Sequence, residues 1–253
     1  MKKDGASAAG ALALTEGEER TQSGRAYQAI RHKILHTELE PGQVINEKML
    51  MAELGFGRTP IREALLRLSA ERLVLFQASQ VIQVAPVDFQ TLSDLYEDRL
   101  HSERLAARLC AQRMDDDLAR RIETCFDEVP RLVEEGKASE IIGLDFKFHS
   151  LIYNGSGNSF LIHHLRNLFG HSYRILYMTR ISDDDIEEHL GVVRSHEPLV
   201  AALMNKDMER VDEEISEHIV NSYNRASEAL TRVDLEDEAS MRLRTLDTGS
   251  DRK

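Results

Sequence analysis

Apolar residues recur at helical spacing along most of the chain, and the rhythm shifts to strand-like alternation only near residues 74–84. Ala26, Ile30, Ile34 and Leu35 form one stripe of an amphipathic segment over about residues 24–39, closed by Pro41-Gly42. A shorter helix at about 47–54 has Met49, Leu50 and Leu54 as its apolar side, and Gly55-Phe56-Gly57 makes a tight turn into a third helix. There Thr59 suits the N-cap and Pro60 the first helical position, because the N–H that proline lacks would have had no intrahelical partner. Ile61, Ala64, Leu65 and Leu68 then share one apolar face, which leaves Arg58, Thr59 and Arg62 projecting from the tip. Helix, glycine turn, helix is the helix-turn-helix pattern. Two β-prone runs follow, Val74-Leu75-Phe76 and Val81-Ile82-Gln83-Val84, separated by Gln77-Ala78-Ser79-Gln80. Three helices and a small β-hairpin predict a winged helix.

From Val87 onward the strand signals vanish, and amphipathic helices are expected at about 88–113, 115–136, 138–154, 158–180, 183–205 and 207–231. The expected architecture is mainly α. A disordered N-terminal arm (1–22) precedes a winged helix-turn-helix (23–86), an all-α helical bundle (87–232) and a frayed or disordered tail (233–253).

Composition agrees with two modest domains: of 253 residues, 42% are hydrophobic and 30% charged. The net charge of -12 argues against a protein coated in basic residues, but its distribution matters more. Residues 1–86 carry 11 Lys and Arg against 10 Asp and Glu, and the remainder 21 against 34, so the acidity belongs to the bundle. The opening Met1-Lys2-Lys3 faintly resembles a signal peptide, but Asp4 interrupts it, and an arm is the preferred reading. No apolar run approaches the ~18 residues of a membrane span. Cys110 and Cys125 lie in apolar helical patterns without metal or redox spacing, which fits a reducing cytoplasm.

Arg58 and Arg62 stand one turn apart at the helix end that favours anions. Two solvated surface arginines are the plain alternative. In a helix-turn-helix, however, the start of the second helix reaches base edges in the major groove. An unfavourable dipole costs up to about 1 kcal/mol, whereas a bidentate guanine contact contributes about 1–3. With DNA present, binding wins.

A second constellation lies in the bundle. On the helix expected at 138–154, Ile141, Asp145, Phe148, His149 and Ile152 share a face, so a carboxylate and an imidazole interrupt a core stripe. His196 interrupts Val192, Val193, Val200 and Leu203, and His218 interrupts Val211, Ile215 and Ile219. A single core histidine is commonly a hydrogen-bonded structural residue. Burying all four groups unpaired would cost several kcal/mol, whereas three imidazoles and one carboxylate make a mixed N/O site for a divalent transition metal. His163, His164, His171 and His189 lack this pattern and are read as surface or structural.

The run Leu54-Gly55-Phe56-Gly57-Arg58-Thr59-Pro60-Ile61-Arg62-Glu63-Ala64-Leu65, then Leu68 and Leu73-Val74, and later Asp94-Leu95-Tyr96-Glu97-Asp98-Arg99, resembles the GntR family of bacterial transcription regulators. The likeness is to its FadR-like branch, whose C-terminal effector domain is called FCD, and covers about residues 24–230. It implies a homodimeric regulator, with repression as the expected sense of control, and operator contacts by Arg58, Thr59 and Arg62. It also implies that Asp145, His149, His196 and His218 hold a metal, zinc first, with nickel, manganese or iron as alternatives. A small organic acid effector would take the metal's open positions, with Arg99 as its cationic partner. Arg99 interrupts the stripe Leu92, Leu95, Ala106, Leu109 and should face the interior; an i,i+4 salt bridge with Glu103 is the competing reading. Asn158 is read as a helix N-cap. Three departures stand out: Gly57 replaces a usual Ser, Arg72 a usual Gly, and Gln80-Val81 the Arg-Gly common at the wing. Without that Arg-Gly, minor-groove contacts by the wing are not expected.

An alternative from another class is a metal-dependent enzyme acting on a small carboxylate. The chain lacks His-Glu-x-x-His, and no Glu stands three residues before any of its 10 histidines, so no base accompanies the cluster. A purely structural metal is the third reading. A regulator and not an enzyme is the expectation.

Overall fold

The computed structural model of the chain describes residues 21–78, 81–178 and 186–247. Helix α1 (Gln22–Leu35) begins before its apolar stripe because Thr21 Oγ1 accepts the Gly24 amide at 2.9 Å, so Thr21 and Gln22 belong to the helix start and not to an arm. It ends at His36 and not near Leu39, because Thr37 takes a left-handed φ of 53°. Pro41-Gly42 instead turns the chain onto the hairpin, where Gly42 N donates to Val84 O and Ile45 N to Ile82 O. Val44 bridges Gln83 there, an added strand-like edge that the hydrophobic pattern did not announce.

Helix α2 (Glu47–Leu54) is capped by Asn46 Oδ1, which accepts from Lys48 and Met49, and stops at Gly55 with φ 71°. Helix α3 (Arg58–Ala70) takes the Gly57 backbone as its N-cap, without a side-chain cap bond. Thr59 and Pro60 are therefore its second and third residues and not the cap and first residue. The physical reason is that all of the first-turn N–H groups lack intrahelical partners, so proline is tolerated at the third position too. Ile61, Ala64, Leu65 and Leu68 are buried as one face, against Ile30 and Ile34 of α1. Strands β1 (Val74–Phe76) and β2 (Ile82–Val84) pair antiparallel, Val74 opposite Val84. Gln80 of the wing lies outside the described residues.

The bundle begins with α4 (Phe89–Arg113), capped by Asp88, followed by α5 (Asp116–Glu123), α6 (Val129–Glu134), α7 (Ala138–Gly155) and α8 (Ser159–Met178). Asn158 Oδ1 accepts the Leu161 amide at 3.2 Å, the expected cap. Then come α9 (Ile186–Arg194), α10 (Glu197–Met204) and α11 (Met208–Asp247). Helix α4 packs along α11 and against α7 and α8. Two helices expected to be continuous are broken: 115–136 at 124–128, and 183–205 at Ser195-His196. Pro130 and Pro198 each stand in the first turn of the second piece, where a missing N–H costs little; inside one helix each would have deleted a bond. The last helix continues to Asp247 and does not stop near 231, so the expected tail is helical through that residue. The rest of the arm (1–20), residues 179–185 and the extreme C-terminus (248–253) lie outside the described residues. Among the described residues no helix is long and apolar enough to cross a membrane.

Candidate DNA-reading tip and candidate metal centre

The tip of α3 presents Arg58, Thr59 and Arg62 to solvent. Arg62 Nε lies 3.2 Å from Glu47 Oε1 in the first turn of α2, with half of the arginine side chain exposed. That exposed pair contributes little to stability. It ties the guanidinium to the start of α2 while leaving half of the side chain accessible.

In the bundle, Asp145 and His149 project from α7, His218 from α11, and His196 from the break between α9 and α10. His196 is thus the N-cap of α10 and not a mid-helix residue, because the helix expected through it is interrupted. All four are buried, His149, His196 and His218 at 1, 0 and 5% exposure. One ring nitrogen from each histidine lies within 4.8 Å of the other two. His196 Nε2 stands 3.4 Å from His149 Nε2 and 3.1 Å from Asp145 Oδ1, which is 3.8 Å from His149 Nε2.

The neighbours fix which nitrogens carry protons. His196 Nδ1 lies 3.3 Å from the Val193 carbonyl, which can only accept. His218 Nδ1 lies 3.5 Å from Ser195 Oγ, whose own proton goes to the Val192 carbonyl at 2.6 Å, so the ring donates. His149 Nδ1 faces Glu103 Oε2 at 3.1 Å. In the neutral tautomer that these neighbours favour, each Nδ1 carries the proton and each Nε2 turns a lone pair to the cluster.

Lone pairs of two imidazoles thus meet each other and a carboxylate oxygen that has no hydrogen-bond partner among the described residues. Such a cluster repels itself unless a cation sits in it. Burial pushes His218 well below its ordinary value, so it stays neutral. Two ligands on one ion at ~2.1 Å with tetrahedral angles stand roughly 3.4 Å apart, so these residues fit a divalent metal.

Arg99 is 2% exposed and faces the interior, as its interruption of an apolar stripe requires. It also makes the i,i+4 pair: Nε meets Glu103 Oε1 at 2.7 Å, and Nη1 donates to Ser172 Oγ at 3.0 Å. Burial disfavours both charges, but each offsets it for the other, and Glu103 is held at about 2. Sequence reasoning missed the second role of Glu103, which turns its other oxygen to His149. No periodicity signals that contact, because the two residues lie on different helices. It also missed the aromatic wall of Phe126 and Phe148 against His196, and of Phe169 against His149.

Helix α8 touches both halves of the molecule. Ser172 and Phe169 face the Arg99–His149 region, while His171 Nε2 donates to the Glu71 carbonyl at 2.8 Å and Arg174 donates to the Ala85 carbonyl. Gly170 lets Arg31 of α1 approach so closely that a Cβ there would lie 2.6 Å from Arg31 Nη2.

A winged helix with a cationic recognition tip, seated on a helical bundle with a buried ligand set, is the build of a DNA-binding regulator. Comparison with known proteins specifies which kind. Residues 22–83 match "Bacterial regulatory proteins, gntR family", and residues 94–221 match the FCD domain. The chain belongs to the GntR family and carries a C-terminal FCD domain. Its relatives include the uncharacterized HTH-type transcriptional regulator YdhC of Bacillus subtilis, 25% identical over 82% of this chain and 90% of that protein. The HTH-type transcriptional repressor GlaR of Escherichia coli is 25% identical over 77% of this chain and 90% of its own. The Nta operon transcriptional regulator of Aminobacter aminovorans is 36% identical over 51% and 60%. Among solved structures, E. coli McbR/YncC superposes with a TM-score of 0.70 at 22% identity, covering 82% of this chain and 98% of that one. The family and these relatives are transcriptional regulators and not enzymes.

Proposed function

We propose that this DNA-binding regulator is a cytoplasmic homodimeric repressor whose hold on its operator is set by a small carboxylate at a metal centre in the bundle. Residues 23–86 bind operator DNA through Arg58, Thr59 and Arg62, and residues 87–232 form the effector and dimerisation domain. The observation that carries the control site is the meeting of His149 Nε2, His196 Nε2 and the unpartnered Asp145 Oδ1, with His218 alongside. Their donor set suits zinc first and nickel, manganese or iron as alternatives. When bound, such an ion supplies a Lewis-acidic position for the effector carboxylate. Arg99, reached from His149 through Glu103, offers that carboxylate a cation. Control requires that the effector bind the DNA-competent and DNA-incompetent arrangements with different affinities, and α8, with contacts in both halves, is the element placed to pass the difference on.

Metal analysis of the purified protein, followed by thermal-shift titration of small carboxylates, tests the reading. Stabilisation by a carboxylate that needs both the metal and Arg99 is the expected result. Stabilisation unaffected by Arg99→Ala or by chelation would overturn the effector assignment.

A further inference from the structure

A cleft of about 470 Å³ opens between the winged helix and the bundle, a volume and a location typical of small-molecule sites. Arg72 and Leu75 line it from the winged-helix side, Leu95 and Asp94 from α4, and Leu168 and Arg174 from α8. It shares no lining residue with the metal cluster.

Two cationic side chains line it, buried Arg174 and exposed Arg72, and neither has an anionic partner among the described residues. Arg174 is 1% exposed, gives one guanidinium nitrogen to the Ala85 carbonyl and keeps Nε without any partner. Burial alone pulls its guanidinium down to about 10, the mark of a cation taken out of water without a counter-charge. Arg72 adds an independent observation. It takes a left-handed φ of 59° where α3 runs into β1. A glycine would adopt that backbone without strain, whereas a side chain costs energy. The strained position carries an arginine, and that arginine lines the cleft. His171, on the same wall, is kept neutral by burial and then by the charges of Arg174, Arg31 and Arg72, against its bond to the Glu71 carbonyl. On the opposite wall Asp94 accepts from Gln90, and Asp98 is engaged by His164 and Ser102. The charges of the cleft are therefore divided, cationic at Arg174 and Arg72 and carboxylate along α4, with Leu75, Leu95 and Leu168 as apolar lining.

We infer that this cleft is a second ligand site, separate from the metal centre, for a small organic anion with an apolar body whose carboxylate pairs with Arg174 and Arg72. An occupant touches both halves at once, so it ties the position of the winged helix to that of the bundle.

The probe is 2-naphthoate, titrated calorimetrically into the full-length protein. One site per chain is expected, with 2-naphthylmethanol, its neutral counterpart, at least tenfold weaker. Arg174→Gln should weaken 2-naphthoate at least tenfold. Arg72→Gly should weaken it at least threefold while raising Tm, because the strain is relieved. His218→Gln, in the metal cluster, should leave the affinity within twofold. If Arg174→Gln fails to fold, Arg72→Gly decides alone. An affinity unchanged by Arg72→Gly, a neutral analogue that binds equally well, or a loss on His218→Gln as large as that on Arg72→Gly each overturns the inference.

Discussion

Glu103 Oε2 stands 3.1 Å from His149 Nδ1, carboxylate and imidazole both about 1% exposed and brought together from α4 and α7. The same carboxylate holds Arg99 with its other oxygen, so one residue joins the cation proposed for the effector to a proposed metal ligand. Outer partners of this kind orient the ring and raise its basicity, and losing one typically costs 10–100-fold in metal affinity. Glu103→Gln is expected to weaken zinc by about that factor in competition with a chromophoric chelator. Unaltered affinity would mean that Glu103 serves only Arg99.

Arg62→Ala should remove most specific operator binding while the fold and the oligomeric state stay intact. If Arg62 reads a base, the loss is about 1–3 kcal/mol, roughly 5- to 150-fold, and falls on specific rather than non-specific DNA. If it grips phosphate, binding weakens on all sequences alike and the salt dependence becomes shallower by about one ion. A mobility-shift series with operator and unrelated DNA at several salt concentrations separates the two, and unchanged binding would remove α3 from the interface.

His171 provides a pH test at the junction of the two halves. Burial, then neighbouring arginines, bring its pKa down to about 4 against the favourable bond to the Glu71 carbonyl. Above the unfolded value of about 6.5 the residue is neutral in both states. As pH falls from there toward 4, only the unfolded chain takes up the proton, so stability declines through that window by up to about 3 kcal/mol. Urea denaturation from pH 7 to 4.5 should show a shallower decline in His171→Gln. Parallel curves would mean that His171 is protonated in the native protein.

Gly170→Ala tests the contact between α1 and α8. The new Cβ would stand 2.6 Å from Arg31 Nη2, and Arg31 is itself buried and 3.5 Å from Glu71 Oε2. Displacing that guanidinium should cost about 1–3 kcal/mol, as overpacking does. In an Arg31→Ala background the same change should cost much less, a coupling that a double-mutant cycle reads directly. Equal costs in both backgrounds would place the strain elsewhere.

The sequence made the winged helix and the buried Asp–His cluster legible because both leave periodic traces. The face of Ile61, Ala64, Leu65 and Leu68 follows the 3.6-residue repeat, and Asp145, His149 and His218 announce themselves by breaking apolar stripes. His196 was found by the same signal although no single helix carries it, because apolar spacing runs unbroken through Ser195 while Pro198 begins a new helix. Glu103 was legible only as a neighbour of Arg99; its contact with His149 is a product of helix packing. Thr59 and Pro60 were displaced by two positions because a glycine backbone capped α3 without using a side chain. The cleft wall left one trace, a non-glycine residue at position 72, whose meaning depended on a backbone angle.

Helix α8 also bears on how the molecule can be recombined. A chimera cut at the linker near Pro86, joining this reading head to the bundle of another regulator, would leave Glu71, Ala85 and Arg31 facing a foreign helix. A transplant that keeps these contacts must carry Gly170, His171 and Arg174 along with the head. The working seam of this protein therefore runs down the middle of a helix and assigns its two faces to different modules.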